Sequence, residues 1–224
     1  MKLVVINGSP RRERGNTEII LKYFLNGFLR NKNNTSKSIH LTRIKDISYT
    51  DIKKSMAEAD RVIVGFPLYI DAMPAVVKEF FESLEDSKSE YSIGFIVQSG
   101  YPDAAHSKYI EAYLKKISKQ SGWDYLGTVV RGGMEGIRDW FSWIFNGFMY
   151  IWCLNLFYRL GKIFGETGSF DERIVNRLLK SRTFLGLDVW KLFNSCGITK
   201  LYWNMFLIKN CAFGKRFNRP YQMN

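Results

Sequence analysis

The stretch Leu3-Val4-Val5-Ile6-Asn7-Gly8-Ser9-Pro10-Arg11-Arg12-Glu13-Arg14-Gly15-Asn16-Thr17 constrains the fold more than any other. It opens as a short apolar run rich in β-branched residues, the pattern of a strand buried on both faces. The run breaks at Gly8 and Pro10, and the chain restarts at Asn16-Thr17-Glu18 as a helix with Asn16 or Thr17 as its cap. Strand, Gly/Ser/Arg turn and helix together build an anion site, because backbone N–H groups and the positive end of the helix dipole converge on one point. Ser9 and Thr17 add hydroxyl donors, Asn16 an amide and Arg11 a planar charged fork. The spacing matches neither G-x-G-x-x-G nor G-x-x-x-x-G-K-[ST]. An ordinary capped strand-to-helix turn is the bland alternative.

The rest of the chain repeats this alternation. A helix over about Thr17 to Arg30 carries Ile19, Ile20, Tyr23, Phe24 and Phe28 at helical spacing. Ser38 to Thr42 alternates like a half-buried edge strand, and Ile52 to Ala59 is a short helix. Arg61 to Phe66 is a buried strand ended by Pro67, and Pro74 opens the next helix. Ser92 to Val97 and Trp123 to Val130 are two more strands, separated by a helix over about Ala104 to Gln120. Strands alternating with helices imply a parallel sheet with right-handed crossovers and helices on both faces. Ligands in such sheets bind beyond the carboxyl ends of the strands, where the strand order reverses. Three loops with unusual residues fall there: Gly8 to Thr17, Pro67 to Pro74, and Ser99 to Asp103.

Gly8-Ser9-Pro10-Arg11 followed by Asn16-Thr17 resembles the phosphate loop of the flavodoxin-like NAD(P)H-dependent FMN reductases. The second loop, Pro67-Leu68-Tyr69-Ile70-Asp71-Ala72-Met73-Pro74, is similar to that family's P-x-Y and M-P segment. The resemblance covers residues 1–136 and runs on more loosely through Gly161 to Gly168. It implies a five-stranded flavodoxin-like sheet, order 2-1-3-4-5, with a helical, aromatic-rich C-terminal extension over 137–224. It further implies FMN as cofactor, NADPH or NADH as electron donor, and Ser9, Arg11, Asn16 and Thr17 around the flavin phosphate. Pro67, Leu68, Tyr69, Ile70 and Met73 would border the isoalloxazine on one side. Ser99, Gly100 and Tyr101 would flank it on the other. Amides at the pyrimidine end would stabilise the charge of reduced flavin. A terminal phosphate in the loop suits FMN rather than FAD. No residue stands out as a general acid or base.

Charge and cysteine usage narrow the field. The 224 residues carry a net charge of +12, unevenly spread. Residues 1–136 hold 20 Lys/Arg against 16 Asp/Glu, and residues 137–224 hold 13 against 5. The basic tail suits a solvated face, a nucleotide phosphate, an acidic partner or an anionic membrane surface. Cys153, Cys196 and Cys211 are too far apart for a disulfide framework, an iron–sulfur cluster or another metal, and His40 and His106 are isolated. The chain opens directly in a strand, so the cytoplasm is the expected compartment.

Trp140 to Tyr158 has no charge and is rich in Trp, Phe and Tyr. Its Asn and Ser residues argue against a bilayer span. It is expected to cover the flavin crevice or to meet a second subunit in a homodimer, the arrangement the resemblance implies; insertion at a membrane surface is the third reading. Three functions compete. An FMN-dependent oxidoreductase passes hydride from NAD(P)H to a quinone, a flavin or another small molecule. A flavodoxin-like electron carrier has no hydride donor of its own, but such carriers are acidic and lack an arginine in the loop. A membrane-surface or nucleic-acid binder would use the basic tail, yet no nucleic-acid motif is present, so no nucleic-acid partner is expected.

Overall fold

The computed structural model describes residues 1–41, 48–69, 71–85, 91–100, 108–180, 183–184, 187–188, 195 and 197–218. These divide into two compact units, Met1–Lys180 and Ser181–Asn224. The first contains β1 (Lys2–Asn7), α1 (Asn16–Phe28), β2 (Thr35–His40), α2 (Tyr49–Ala57), β3 (Arg61–Pro67) and α3 (Ala75–Glu85). It continues with β4 (Ser92–Gln98), α4 (Lys108–Gln120), β5 (Asp124–Arg131), α5 (Trp140–Thr167) and α6 (Glu172–Leu179). The second holds a two-stranded antiparallel ribbon, β6 (Thr183–Phe184) and β7 (Leu187–Asp188), and helix α7 (Ile198–Lys209).

The five long strands form one parallel sheet in the order β2-β1-β3-β4-β5, the flavodoxin-like arrangement. Side-chain alternation along β1 sorts the core onto two faces. Val4 and Ile6 join Ile52, Met56, Phe80, Phe81 and Leu114 on one side. Leu3 and Val5 join Ile20, Phe24, Phe28, Phe157 and Phe164 on the other. Each such side chain contributes about 1.5–3 kcal/mol on full burial, so both layers are needed to hold the sheet. β2 begins earlier than the alternation predicts, at Thr35, whose N–H donates to the Met1 carbonyl (3.0 Å). Thr42 lies outside the described residues.

The uncharged run Trp140 to Tyr158 forms most of the first two-thirds of the 28-residue helix α5. Its inner face is core: Tyr150, Cys153, Leu154, Leu156 and Phe157 are buried, followed by Leu160 and Phe164. The compact unit therefore runs on to Lys180, past the boundary at 136 drawn from the sequence. Glycines permit this packing. A Cβ placed on Gly161 would stand 1.9 Å from the Phe24 carbonyl oxygen, and one on Gly27 would stand 1.9 Å from that of Tyr158. α1 and α5 thus touch backbone to backbone, with Phe24 and Phe164 meeting edge-on at 5.5 Å. Among the described residues no helix is long and apolar enough to cross a membrane.

Candidate functional site

The carboxyl ends of the parallel strands β1, β3, β4 and β5 bring the loops that follow them to one edge of the sheet. In the first, Gly8 N–H donates to the Gly65 carbonyl (2.8 Å), which ties the loop to β3. The Asn7 Oδ1 accepts from Ser9 N–H at 2.9 Å, while its amide donates to Glu18 Oε2 at 2.7 Å. His40 Nε2 meets that same carboxylate oxygen at 3.0 Å. Ser9 is buried, and its Oγ accepts from Arg11 N–H at 3.3 Å. The chain then makes a 3-10 turn at Arg12–Arg14, with Arg12 in the left-handed region at φ 51°.

The cap of α1 is Gly15, not Asn16 or Thr17, and no side chain caps the helix. A Cβ on Gly15 would fall 2.4 Å from Ser9 Oγ, so any side chain there displaces the Ser9 hydroxyl. An uncapped first turn with its dipole facing the crevice is suited to a phosphate. Asn16 is spent elsewhere: its amide donates to the carbonyls of Met134 (2.8 Å) and Glu135 (3.0 Å). Thr17 is buried, and its Oγ1 accepts from Gln98 Nε2 at 3.4 Å. The Arg11 side chain is exposed.

In the second loop Leu68 N–H donates to the Gln98 carbonyl (2.8 Å), and Tyr69 and Ala72 exchange both backbone bonds (2.9 and 3.1 Å). Asp71 closes this turn at φ 61°. Tyr69 N–H is therefore not available to a ligand, but its ring remains exposed, Leu68 is buried and Met73 packs on the core. Pro67 ends β3 as expected. In the third loop Ser99 is buried and bridges β5: its N–H donates to the Arg131 carbonyl (2.9 Å) and its carbonyl accepts from Met134 N–H (3.1 Å). Gly100 leaves room for the Glu135 carboxylate, which a Cβ there would meet at 2.3 Å. Ile70 and Tyr101 lie outside the described residues.

The sequence reading missed the fourth wall, the segment after β5. Its 3-10 turn Glu135–Arg138 sends Arg138 back to the loop after β1. Arg138 Nη2 donates to the Glu13 (2.6 Å) and Gly15 (3.1 Å) carbonyls, and its Nε donates to Gly15 at 3.2 Å. The signal was present: Gly132, Gly133 and Gly136 crowd the carboxyl end of a strand. Beneath this wall Arg131 is buried and donates to the Leu178 carbonyl at 3.1 Å. Burial raises the pKa of the neighbouring Cys153 thiol, against the opposing pull of Arg131. Among the described residues no group of His, Cys, Asp or Glu forms a metal site.

The sequence profile of the family described as NADPH-dependent FMN reductase matches residues 1–119, just over half of the 224. Comparison with curated protein sequences returns no match. Among solved structures, the NAD(P)H:quinone oxidoreductase from Methanothermobacter marburgensis is 13% identical with a TM-score of 0.57, covering 75% of this chain and 99% of its own. An azoreductase from Bacillus anthracis str. Sterne is 15% identical with a TM-score of 0.54, covering 73% of this chain and 100% of its own. An NADH:FMN oxidoreductase in its apo form is 17% identical with a TM-score of 0.50, covering 70% and 88%. At such identities the likeness establishes a shared fold.

Proposed function

Because the chain belongs to the NADPH-dependent FMN reductase family, and is an NAD(P)H-dependent oxidoreductase that works with FMN, we propose that it passes electrons from NAD(P)H to a small-molecule acceptor such as a quinone or a flavin. FMN, when bound, would supply the hydride and electron-transfer chemistry. The protein supplies position and charge. Ser9, Arg11 and the backbone N–H groups of Asn16 and Thr17 hold the phosphate. Leu68 and Met73 form an apolar wall, the Tyr69 ring borders the isoalloxazine, and Ser99 and Gly100 allow close approach on the other flank. The sequence-expected contacts Pro67, Ile70 and Tyr101 belong to the same two loops. Quinone and azo acceptors are planar and fit the chemistry named for the structural neighbours.

The observation that carries this reading is the uncapped α1 N-terminus at Gly15, closed over Ser9 and clamped from behind by Arg138. The test is a spectrum of the FMN-loaded protein under nitrogen. Addition of NADPH or NADH bleaches the flavin bands, and a quinone restores them. A flavin that stays oxidised with both nucleotides identifies an electron carrier and overturns the proposal.

The same reading makes the protein a cytoplasmic homodimer. The α5 residues left outside the core, Phe148, Ile151 and Trp152, support it. Trp152 lies beside the crevice wall, 5.9 Å from the Arg131 guanidinium. Light scattering then gives twice the 26.1 kDa chain mass; a single-chain mass contradicts it.

A further inference from the structure

The unit Ser181–Asn224 has a charge and surface character of its own. It holds seven cations (Arg182, Lys191, Lys200, Lys209, Lys215, Arg216 and Arg219) against one acid, Asp188, so its net charge is +6. Helix α7 carries Leu201, Met205 and Ile208 at i, i+4 and i+7, one stripe along the helix. The stripe faces outward: Leu201 is 59%, Met205 38% and Ile208 60% exposed. Two residues past a short turn, Phe213–Lys215, Phe217 is a second apolar point, 79% exposed. The Arg216 guanidinium stacks over both Phe213 (3.9 Å) and Phe217 (4.6 Å), which holds a cation beside two aromatic rings.

We propose that this unit docks the protein on an anionic lipid bilayer surface, with Leu201, Met205, Ile208 and Phe217 entering the interface and the exposed Lys200, Lys209, Lys215 and Arg216 meeting lipid phosphates. Helix α7 is apolar on more than one side, with Trp203 also exposed, and its exposed apolar side chains lie close to cations, a combination that suits attachment in the membrane plane without crossing it. Charge decides between occupants. A symmetric contact with a second copy brings two surfaces of charge +6 together, whereas an anionic leaflet attracts each Lys and Arg near it. Nucleic acid would satisfy the charge but leave the aliphatic stripe wet. Docking is a property of the surface alone and holds whether or not the flavin reaction is as proposed.

The test is co-sedimentation of the full-length protein with phosphatidylcholine vesicles and with mixed phosphatidylcholine–phosphatidylglycerol vesicles, at low and high salt. Binding to the mixed vesicles is expected, with weak binding to phosphatidylcholine alone and partial loss at high salt. The charge-neutral double variant Leu201→Ser/Ile208→Ser, both at exposed positions, is expected to lower the partition coefficient at least about tenfold while retaining wild-type flavin content and thermal transition. Phe217→Ser gives a smaller loss in the same direction. Binding equal on both vesicle types overturns the proposal. So does salt-sensitive binding that the double variant leaves unchanged, which identifies simple adsorption of a basic tail. A halved solution mass in the double variant identifies a contact between copies and also overturns it.

Discussion

Arg138 donates from both Nη2 and Nε to the carbonyl oxygen of Gly15, at 3.1 and 3.2 Å, across 123 positions of sequence. The bond holds Gly15, the residue at which the loop after β1 becomes a helix. Through it the segment after β5 controls the shape of the segment after β1.

Arg138→Ala removes this clamp while leaving every described residue of the two apolar layers in place. Hydrogen bonds from a charged donor, partly exposed as these are, contribute about 1–2 kcal/mol. FMN affinity is expected to fall roughly five- to thirtyfold, read by fluorescence titration, with an unchanged thermal transition. An unchanged dissociation constant shows that the loop holds its form without the clamp.

Arg11→Ala tests a direct contact with the ligand. The Arg11 side chain is exposed, so its removal costs no core packing. Loss of one charged partner of a phosphate costs about 1.5–3 kcal/mol, so FMN binding is expected to weaken roughly ten- to a hundredfold. Wild-type affinity would show that the guanidinium points to solvent.

Gly161→Ala pits two effects of opposite sign. In an open helix the change stabilises by about 0.5–1 kcal/mol. Here the added methyl lies 1.9 Å from the Phe24 carbonyl oxygen, so α1 and α5 must separate. Overpacking of this kind costs about 1–3 kcal/mol, and the clash is expected to win. Urea denaturation decides it, and a more stable variant would show that the helices part freely.

Much of the fold was legible because the strands of a parallel sheet are short apolar runs. Val62 to Phe66 and Ile93 to Val97 needed no tertiary information. The N-cap was misread for a tertiary reason. Asn16 has the local chemistry of a cap, but its amide is taken by the carbonyls of Met134 and Glu135, distant in sequence. The sequence marks Trp140 to Tyr158 as an uncharged covering or interface segment, and one side of it packs into the core of its own chain. Its burial depends on Gly27 and Gly161, whose pairing appears only once the two helices meet. In the candidate site the first loop was legible as a strand-to-helix turn. Arg138 was not, because a lone arginine carries no local sign of its target.

Cys153 is expected to resist alkylation in the folded protein at mildly alkaline pH, while the exposed Cys211 reacts. Burial raises the Cys153 pKa above its ordinary value of 9.0, so the folded state favours the neutral thiol. The sign for stability follows. The contribution is present below pH 9.0 and is lost as pH rises through the raised folded value, because the unfolded chain ionises first. Peptide mapping after iodoacetamide treatment checks the protection. Labelling of Cys153 as fast as Cys211 contradicts it.

The central claim is that the turn from Ser9 to Thr17 binds a terminal phosphate, and comparing ligands that differ only there tests it most directly. FMN, riboflavin and FAD are titrated into the apoprotein by fluorescence quenching. The account predicts that FMN binds at least about a hundredfold more tightly than riboflavin, the worth of two or more charged hydrogen bonds, and more tightly than FAD. Equal affinity for riboflavin and FMN, or a preference for FAD, contradicts it.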